Sequence, residues 1–291
     1  MLPEVRVGDN HLHLNPVKGM GVREFAERFL ASGGWFAGLV NLTSWSYGVK
    51  IAGAEDYEMV YRLTLDAARA LRERGLQVAV ILGPHPAELA RLVESGVSAA
   101  KAASLLARAY EIAAGYVRRG EASGLGEAGR PHWPAPREVV EACNAVLDQV
   151  IELALELDCV VHLHVERGGK NTVDDLAARL KGARRVVLHH AEGAYAGYAL
   201  EKGLVPSVPA REAELLAAVK GGWGFVVESD FLDDPARPGA VVAPWSISRT
   251  FARLISRGVL SSSDAERILV RNIEELYGVE FKPQGLRAGL S

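Results

Sequence analysis

The stretch EVRVGDNHLH, residues 4–13, decides the reading of the whole chain. Residues 4–8 read as a short strand that runs into Asp9-Asn10-His11-Leu12-His13. Positions i and i+2 of an extended segment face the same way, so both imidazoles can point into whatever the strand helps to enclose. Two neutral imidazoles on one face make half of a metal site. A His-x-His pair alone is weak evidence of ligation. Its weight comes from the rest of the chain.

Working outward, residues 35–42 (WFAGLVNL) are apolar with no helical stripe, as a buried parallel strand requires. Further strands read at 76–82 (LQVAVIL), 159–164 (CVVHLH), 185–189 (RVVLH) and 224–229 (GFVVES), and two shorter, less apolar ones at 122–127 and 204–208. Helical spacing fills the intervals at 22–31, 54–74, 86–94, 98–119, 136–157, 172–180, 193–202 and 209–220, and after the last strand at 246–258 and 263–277. Gly75 stands where a helix C-cap is expected. Eight strand–helix units are what a closed parallel barrel needs, so the expected fold is α/β, a (β/α)8 TIM-like barrel occupying residues 1–291 as a single domain. A doubly wound open sheet competes, but no GxGxxG follows the first strand. Residues 233–244, rich in Pro, Ala and Gly, read as a loop at the mouth where a barrel keeps its chemistry.

Composition narrows the class. A net charge of −3 offers no global basic field for gripping nucleic acid or an anionic membrane. Two cysteines, Cys143 and Cys159, are too few for a disulfide framework and sit in apolar stretches, which suits a reducing interior. With no basic n-region ahead of an apolar core and no long apolar run, neither a secretory signal nor a membrane span is expected, and the cytoplasm is the default. No protein partner is indicated.

Of the eight histidines, six fall at or just beyond predicted strand ends: His11, His13, His85, His164, His189 and His190. A site assembled from several strand ends shows this pattern. Glu127, among the glycines of Gly124-Leu125-Gly126-Glu127-Ala128-Gly129, has little bulk around it, so a cation can approach, and the carboxylate could bridge two. His162 and His164 share a face. His164 lies nearer the mouth and is the favoured ligand, whereas His162 is a core histidine or a partner behind the ligands. His189 and His190 are adjacent, so only one is expected to face the centre. Asp230, after Glu228 and Ser229, can hold a metal or take a proton from water.

In order, these pieces resemble the TatD-related branch of the metal-dependent amidohydrolase superfamily. The similarity runs end to end through Asp9-Asn10-His11-Leu12-His13-Leu14, Gly83-Pro84-His85-Pro86, Gly126-Glu127-Ala128-Gly129, Val161 to His164, Val187 to His189, Glu228-Ser229-Asp230 and Arg271 to Gly278. The resemblance implies two divalent ions of Zn, Mn or Mg. His11, His13 and Asp230 would hold one and His164 and His189 the other, with Glu127 bridging. It also implies water attacking the substrate with Asp230 as base, catalytic roles for Glu127 and Asp230, and His85 touching a phosphate or the leaving group.

The chain departs from that family at Arg130-Pro131-His132-Trp133, at Val165-Glu166-Arg167 and at Phe231 to Pro235, all expected to face substrate. Arg130 and Arg167 could hold an anion, with surface salt bridges as the competing reading. The leading expectation is a binuclear hydrolase of phosphoesters, acting on a small molecule or a short nucleic acid. An amidohydrolase or lactonase acting on a carbonyl centre is the second reading. From a different class, the third is a non-catalytic metal- or ligand-binding barrel.

Overall fold

The structure is a computed structural model that describes residues 5–234 and 242–281. Its strands are β1 (Val7–His13), β2 (Gly34–Val40), β3 (Gln77–Leu82), β4 (Gly124–Gly129), β5 (Val160–His164), β6 (Val186–Leu188), β7 (Val205–Pro209), β8 (Val226–Glu228) and β9 (Phe231–Leu232). They form one sheet in the order β8-β7-β6-β5-β4-β3-β2-β1-β9, and every neighbouring pair is parallel. Parallel neighbours need crossovers. These carry α1 (Val22–Ala31), α2 (Tyr57–Glu73), α3 (Pro86–Glu94), α4 (Ala99–Arg118), α5 (Arg137–Leu157), α6 (Lys170–Arg179), α7 (Ala196–Glu201) and α8 (Glu212–Ala218). After β9 come α9 (Ile247–Ser256), α10 (Ser262–Glu266), a π-type turn at Arg267–Arg271 and α11 (Asn272–Tyr277). The TIM-like barrel expected from the sequence is the fold observed.

The ring closes through a strand that the sequence pattern does not single out. β8 ends at Glu228, and after Ser229 and Asp230 the chain resumes as β9, where Phe231 and Leu232 pair with Leu12 and His13 of β1. Between them, the Ser229 amide donates to Asp9 Oδ1 at 2.9 Å and the Asp230 amide to the His11 carbonyl at 2.9 Å. Asp230 sits at φ +48, the left-handed region that Asp visits more readily than most residues. The eighth stave is therefore kinked, and the kink falls at the mouth.

Strand parity sorts the side chains into two cores. In β5, Val161 and Leu163 pack outward beneath the helices, while Val160 joins Phe36, Ile81, Val187 and Val226 in the inner core. Continuing upward on the inner parity, Val160 gives way to His162 and His164, Val187 to His189, and Val226 to Glu228. The lower barrel is thus apolar and the upper barrel titratable. Ile273 and Leu276 of α11 join the inner core, with Tyr277 and Phe281 packed against it at the lower end.

Three boundaries differ from the sequence reading. β1 continues through His13, so His11 and His13 lie within it rather than beyond it, and β4 is shifted toward the mouth, so Glu127 lies inside it rather than at its end. The long final helix is broken by the π-type turn. Much of the expected 233–244 loop, residues 235–241, lies outside the described residues. Cys143 and Cys159 are buried and free. Among the described residues no helix is long and apolar enough to cross a membrane.

The glycines around Glu127 have a different use from clearing a path for an ion. A Cβ at Gly129, which has φ +141, would stand 2.1 Å from the His164 carbonyl oxygen, and one at Gly124 would stand 2.2 Å from that of Val160. They let the β4 backbone lie tight against β5, which brings Glu127 to His164. Gly129→Ala is expected to destabilise the fold by roughly 2–4 kcal/mol. An unchanged denaturation midpoint would contradict this packing argument.

Candidate metal centre

The site histidines of β1, and His189 directly after β6, are each anchored through Nδ1. His13 Nδ1 donates to the Val40 carbonyl at 3.0 Å, His189 Nδ1 lies 2.8 Å from Glu228 Oε2, and His11 Nδ1 lies 2.9 Å from His162 Nδ1. Anchoring one ring nitrogen turns the other, with its lone pair, toward the cavity. The Nε2 atoms of His11 and His13 accordingly meet at 3.2 Å. Both rings are buried, as are those of His164 and His189.

Glu127 stands in the middle. Its Oε1 faces His13 Nε2 at 3.4 Å and His11 Nε2 at 3.5 Å. Its Oε2 faces His164 Nδ1 at 2.8 Å, His189 Nε2 at 3.6 Å and His85 Nε2 at 3.8 Å. Asp230 closes the top, with Oδ1 3.6 Å from His13 Nε2 and 3.8 Å from His189 Nε2. Three of the tight donor groups are His11–His13–Asp230, His11–Glu127–His189 and His85–Glu127–His164. Imidazole nitrogens and carboxylate oxygens converging in a buried pocket are the donor set a divalent cation such as zinc takes. The residues fit a metal.

The electrostatics agree. Burial works against ionising Glu127, but His11 and His85 outweigh it and hold its carboxyl well below the usual range. Burial also opposes charge on Asp230, yet hydrogen bonds with His13 and His190 keep it ionised. Burial pushes the pKa of His11, His162 and His189 below the ordinary imidazole value, and takes His85 down to about 3. His190 is the exception. Burial pulls it down, but the bond to Asp230 and the charges of Asp230 and Glu228 lift it to about 9.

Every site residue expected from the sequence can now be located. His13, His85, Glu127, His164, His189 and Asp230 come together at the mouth around a cleft of about 420 Å³ also lined by Thr43, Trp45, His132 and Trp133, and His11 is completely buried with its Nε2 3.2 Å from that of His13. His85 stands among the donors rather than apart from them, its ring 4.3 Å from that of His164. His190 does not turn away from the site. With φ +55 it swings to the outer side of Asp230, its Nε2 3.1 Å from Oδ2, so both members of the His189-His190 pair line the cleft.

The two arginines separate. Arg130 is buried, with Glu166 at 2.8 and 3.0 Å, Asn144 at 3.2 Å and Asp175 taking its donors. Of its two sequence readings, the structure shows the ion pairs. Arg167 is exposed beside a depression that His189 and His190 also line.

Sequence reasoning assigned no role to Glu228 or Tyr277, and it placed His132 toward substrate without foreseeing that its Nδ1 lies 2.6 Å from His164 Nε2. The signal for Glu228 was its two-residue spacing from Asp230. The partners of His132 and Tyr277 are set by tertiary structure and left no local mark.

Asp9 is fully buried. Its Oδ1 accepts from the His11 and Ser229 amides, whereas Oδ2 has no hydrogen-bond partner among the described residues. Burial raises its pKa from 3.8 to about 7. The fold therefore favours the neutral acid, and Asp9 subtracts stability progressively as pH rises from about 4 to about 7. Metal-stripped Asp9→Asn is expected to melt higher than wild type at pH 8, with the gain shrinking at pH 5. An equal shift at both pH values would refute the burial argument.

A parallel barrel with a histidine and carboxylate cage at the carboxyl ends of its strands defines the class: a metal-dependent hydrolase fold of the amidohydrolase type. A family model described as TatD related DNase matches residues 8–278, and the chain belongs to that family of hydrolases. An uncharacterized protein of Methanocaldococcus jannaschii is 28% identical over 287 residues, covering 97% of this chain and 99% of the relative. Among solved structures, the TatD homologue YjjV of Escherichia coli K12 superposes with a TM-score of 0.66 at 20% identity, covering 95% of this chain and 100% of that one. The phosphotriesterase homology protein of Escherichia coli, complexed with phosphate in its active site, gives 0.61 at 13% identity over 95% and 99%. A phosphotriesterase-like lactonase mutant from Deinococcus radiodurans gives 0.61 at 16% over 94% and 95%.

Proposed function

We propose that the protein is a binuclear, divalent-metal-dependent hydrolase of phosphoesters, with a phosphodiester as the preferred substrate class. The observation that carries the reading is the division of the Glu127 carboxylate. Oε1 faces His11 and His13, while Oε2 faces His164, His189 and His85, as one carboxylate shared between two cations requires. Asp230 and His13 complete the first donor set. Two cations held there would neutralise phosphate charge and acidify a water molecule.

The remaining work falls to the side chains. Asp230, ionised and at the mouth, accepts the proton of the attacking water. His190 beside it keeps that carboxylate oriented through the 3.1 Å contact. Trp45 and Trp133 line the cleft and offer apolar surface to a substrate. Exposed Arg167 supplies a positive charge near the cleft for an anionic ester.

The family description, a DNase, favours the phosphodiester reading over a carbonyl centre. The solved relatives include a lactonase, so a lactone is the discriminating competitor. The test strips the protein with a chelator, reloads it with Mn²⁺, Zn²⁺ or Mg²⁺, and compares a generic phosphodiester with a panel of lactones. Metal-restored phosphodiester turnover is expected. Turnover of lactones alone would overturn the substrate assignment, and no metal-dependent turnover of either would overturn the hydrolase mechanism.

A further inference from the structure

We propose that Tyr277 and His162 form a hydrogen-bond relay that fixes the tautomer of His11, making Tyr277 a positioning residue for the metal centre although it lies at the opposite end of the barrel. The proposal rests on the reading of His11 as a ligand and concerns what makes it one.

Five side chains stand in a buried line below the cage. Glu228 is supported by the Ser207 hydroxyl. Asn10 Nδ2 donates to Ser207 Oγ at 3.0 Å, and Tyr277 donates to Asn10 Oδ1 at 2.9 Å. His162 Nε2 lies 2.8 Å from the Tyr277 oxygen, and His162 Nδ1 lies 2.9 Å from His11 Nδ1. Asn10, His11, His162, Ser207 and Glu228 are completely buried, so water cannot replace a missing partner.

The polarity of this line follows from Asn10. Its amide nitrogen only donates and its amide oxygen only accepts, so Ser207 Oγ accepts from Nδ2. The amide oxygen of Asn10 then faces Tyr277 and takes its hydroxyl proton. The Tyr277 oxygen is left to accept, which places the His162 proton on Nε2 and makes its Nδ1 an acceptor. Only a proton on His11 Nδ1 satisfies that acceptor. His11 Nε2 is thereby kept as a bare lone pair, aimed where His13 Nε2 and Glu127 Oε1 converge. Glu228 fixes His189 in the same sense directly. Asn10 thus orders His11 through two intermediaries, Tyr277 and His162.

Without the Tyr277 hydroxyl, nothing holds the His162 proton on Nε2. Moving it to Nδ1 would set two N–H groups against each other at 2.9 Å, and His11 would answer by carrying its proton on Nε2, inside the cage. The number of bound protons is unchanged; only their places differ.

Tyr277→Phe is the discriminating variant, because it keeps the ring that packs 4.9 Å from Phe36. Full-length protein labelled with ¹⁵N-histidine would be examined by long-range ¹H–¹⁵N correlation, before and after zinc is added. Zinc affinity would be measured by competition with a chromophoric chelator. Wild type is expected to show His11 protonated on Nδ1 even without zinc. Tyr277→Phe should shift His11 toward the Nε2–H form and weaken zinc binding about 10–100-fold. Phe36→Leu, which loosens the same packing without touching the relay, should leave the tautomer unchanged.

A wild-type His11 protonated on Nε2 would overturn the proposal outright, even if Tyr277→Phe failed to fold. A Tyr277→Phe protein with an unaltered tautomer, or with an altered tautomer and undiminished affinity, would overturn it too. A wild type that binds no zinc at all would instead defeat the underlying reading of the site.

Discussion

Glu127→Ala is expected to reduce turnover of a phosphodiester by about 10³-fold or more while the barrel still folds. Glu127 divides its two oxygens between the halves of the cage, with Oε1 at 3.4–3.5 Å from the β1 histidines and Oε2 at 2.8 Å from His164. Without it, five imidazoles would face one another with no carboxylate between them, and two cations would repel across the gap. The loss concerns charge more than volume, so Glu127→Gln, which keeps the shape, should be nearly as inactive. Circular dichroism should report an intact fold in both, because the strand pairings of β4 do not run through this side chain. Wild-type turnover in either variant would refute the bridging role.

The second large effect is expected at Asp230. Asparagine tolerates the left-handed φ of +48, so Asp230→Asn removes the charge and leaves the kink between β8 and β9 in place. Turnover should fall by about 10²–10⁴-fold, with KM much less affected, as for loss of a general base. A second readout follows from His190, whose pKa of about 9 depends on the adjacent carboxylate. In metal-free Asp230→Asn that pKa should drop, because burial then acts with less opposition. Retained turnover, or a His190 titration that does not move, would refute the assignment.

Much of this was legible in the sequence, for identifiable reasons. The apolar strands and their helical intervals carry the periodicities of a barrel, and the i, i+2 spacing placed His11 and His13 on one inner face. Asp230 announced itself by following the last apolar strand. Glu127 was found at the end of the expected strand, but the continuation of β4 past it to Gly129 was not, because a strand of glycines has no apolar pattern to bound it. β9 is two residues long and exists only through its pairing with β1, which no local signal encodes. The ion pair of Arg130 with Asp175 and the contact of His162 with Tyr277 join residues 45 and 115 positions apart. Parity could place His162 inward, but only the folded barrel supplies its partner. His190 was misjudged because its positive φ breaks the alternation that parity assumes.

The central claim is that one cage of histidines and carboxylates holds two divalent ions. The most direct test is elemental analysis of protein saturated with zinc or manganese and freed of excess by gel filtration. Two equivalents per chain are predicted for wild type, with loss of bound metal in Glu127→Ala. A wild type retaining no metal, or a Glu127→Ala protein retaining both equivalents, would contradict the account.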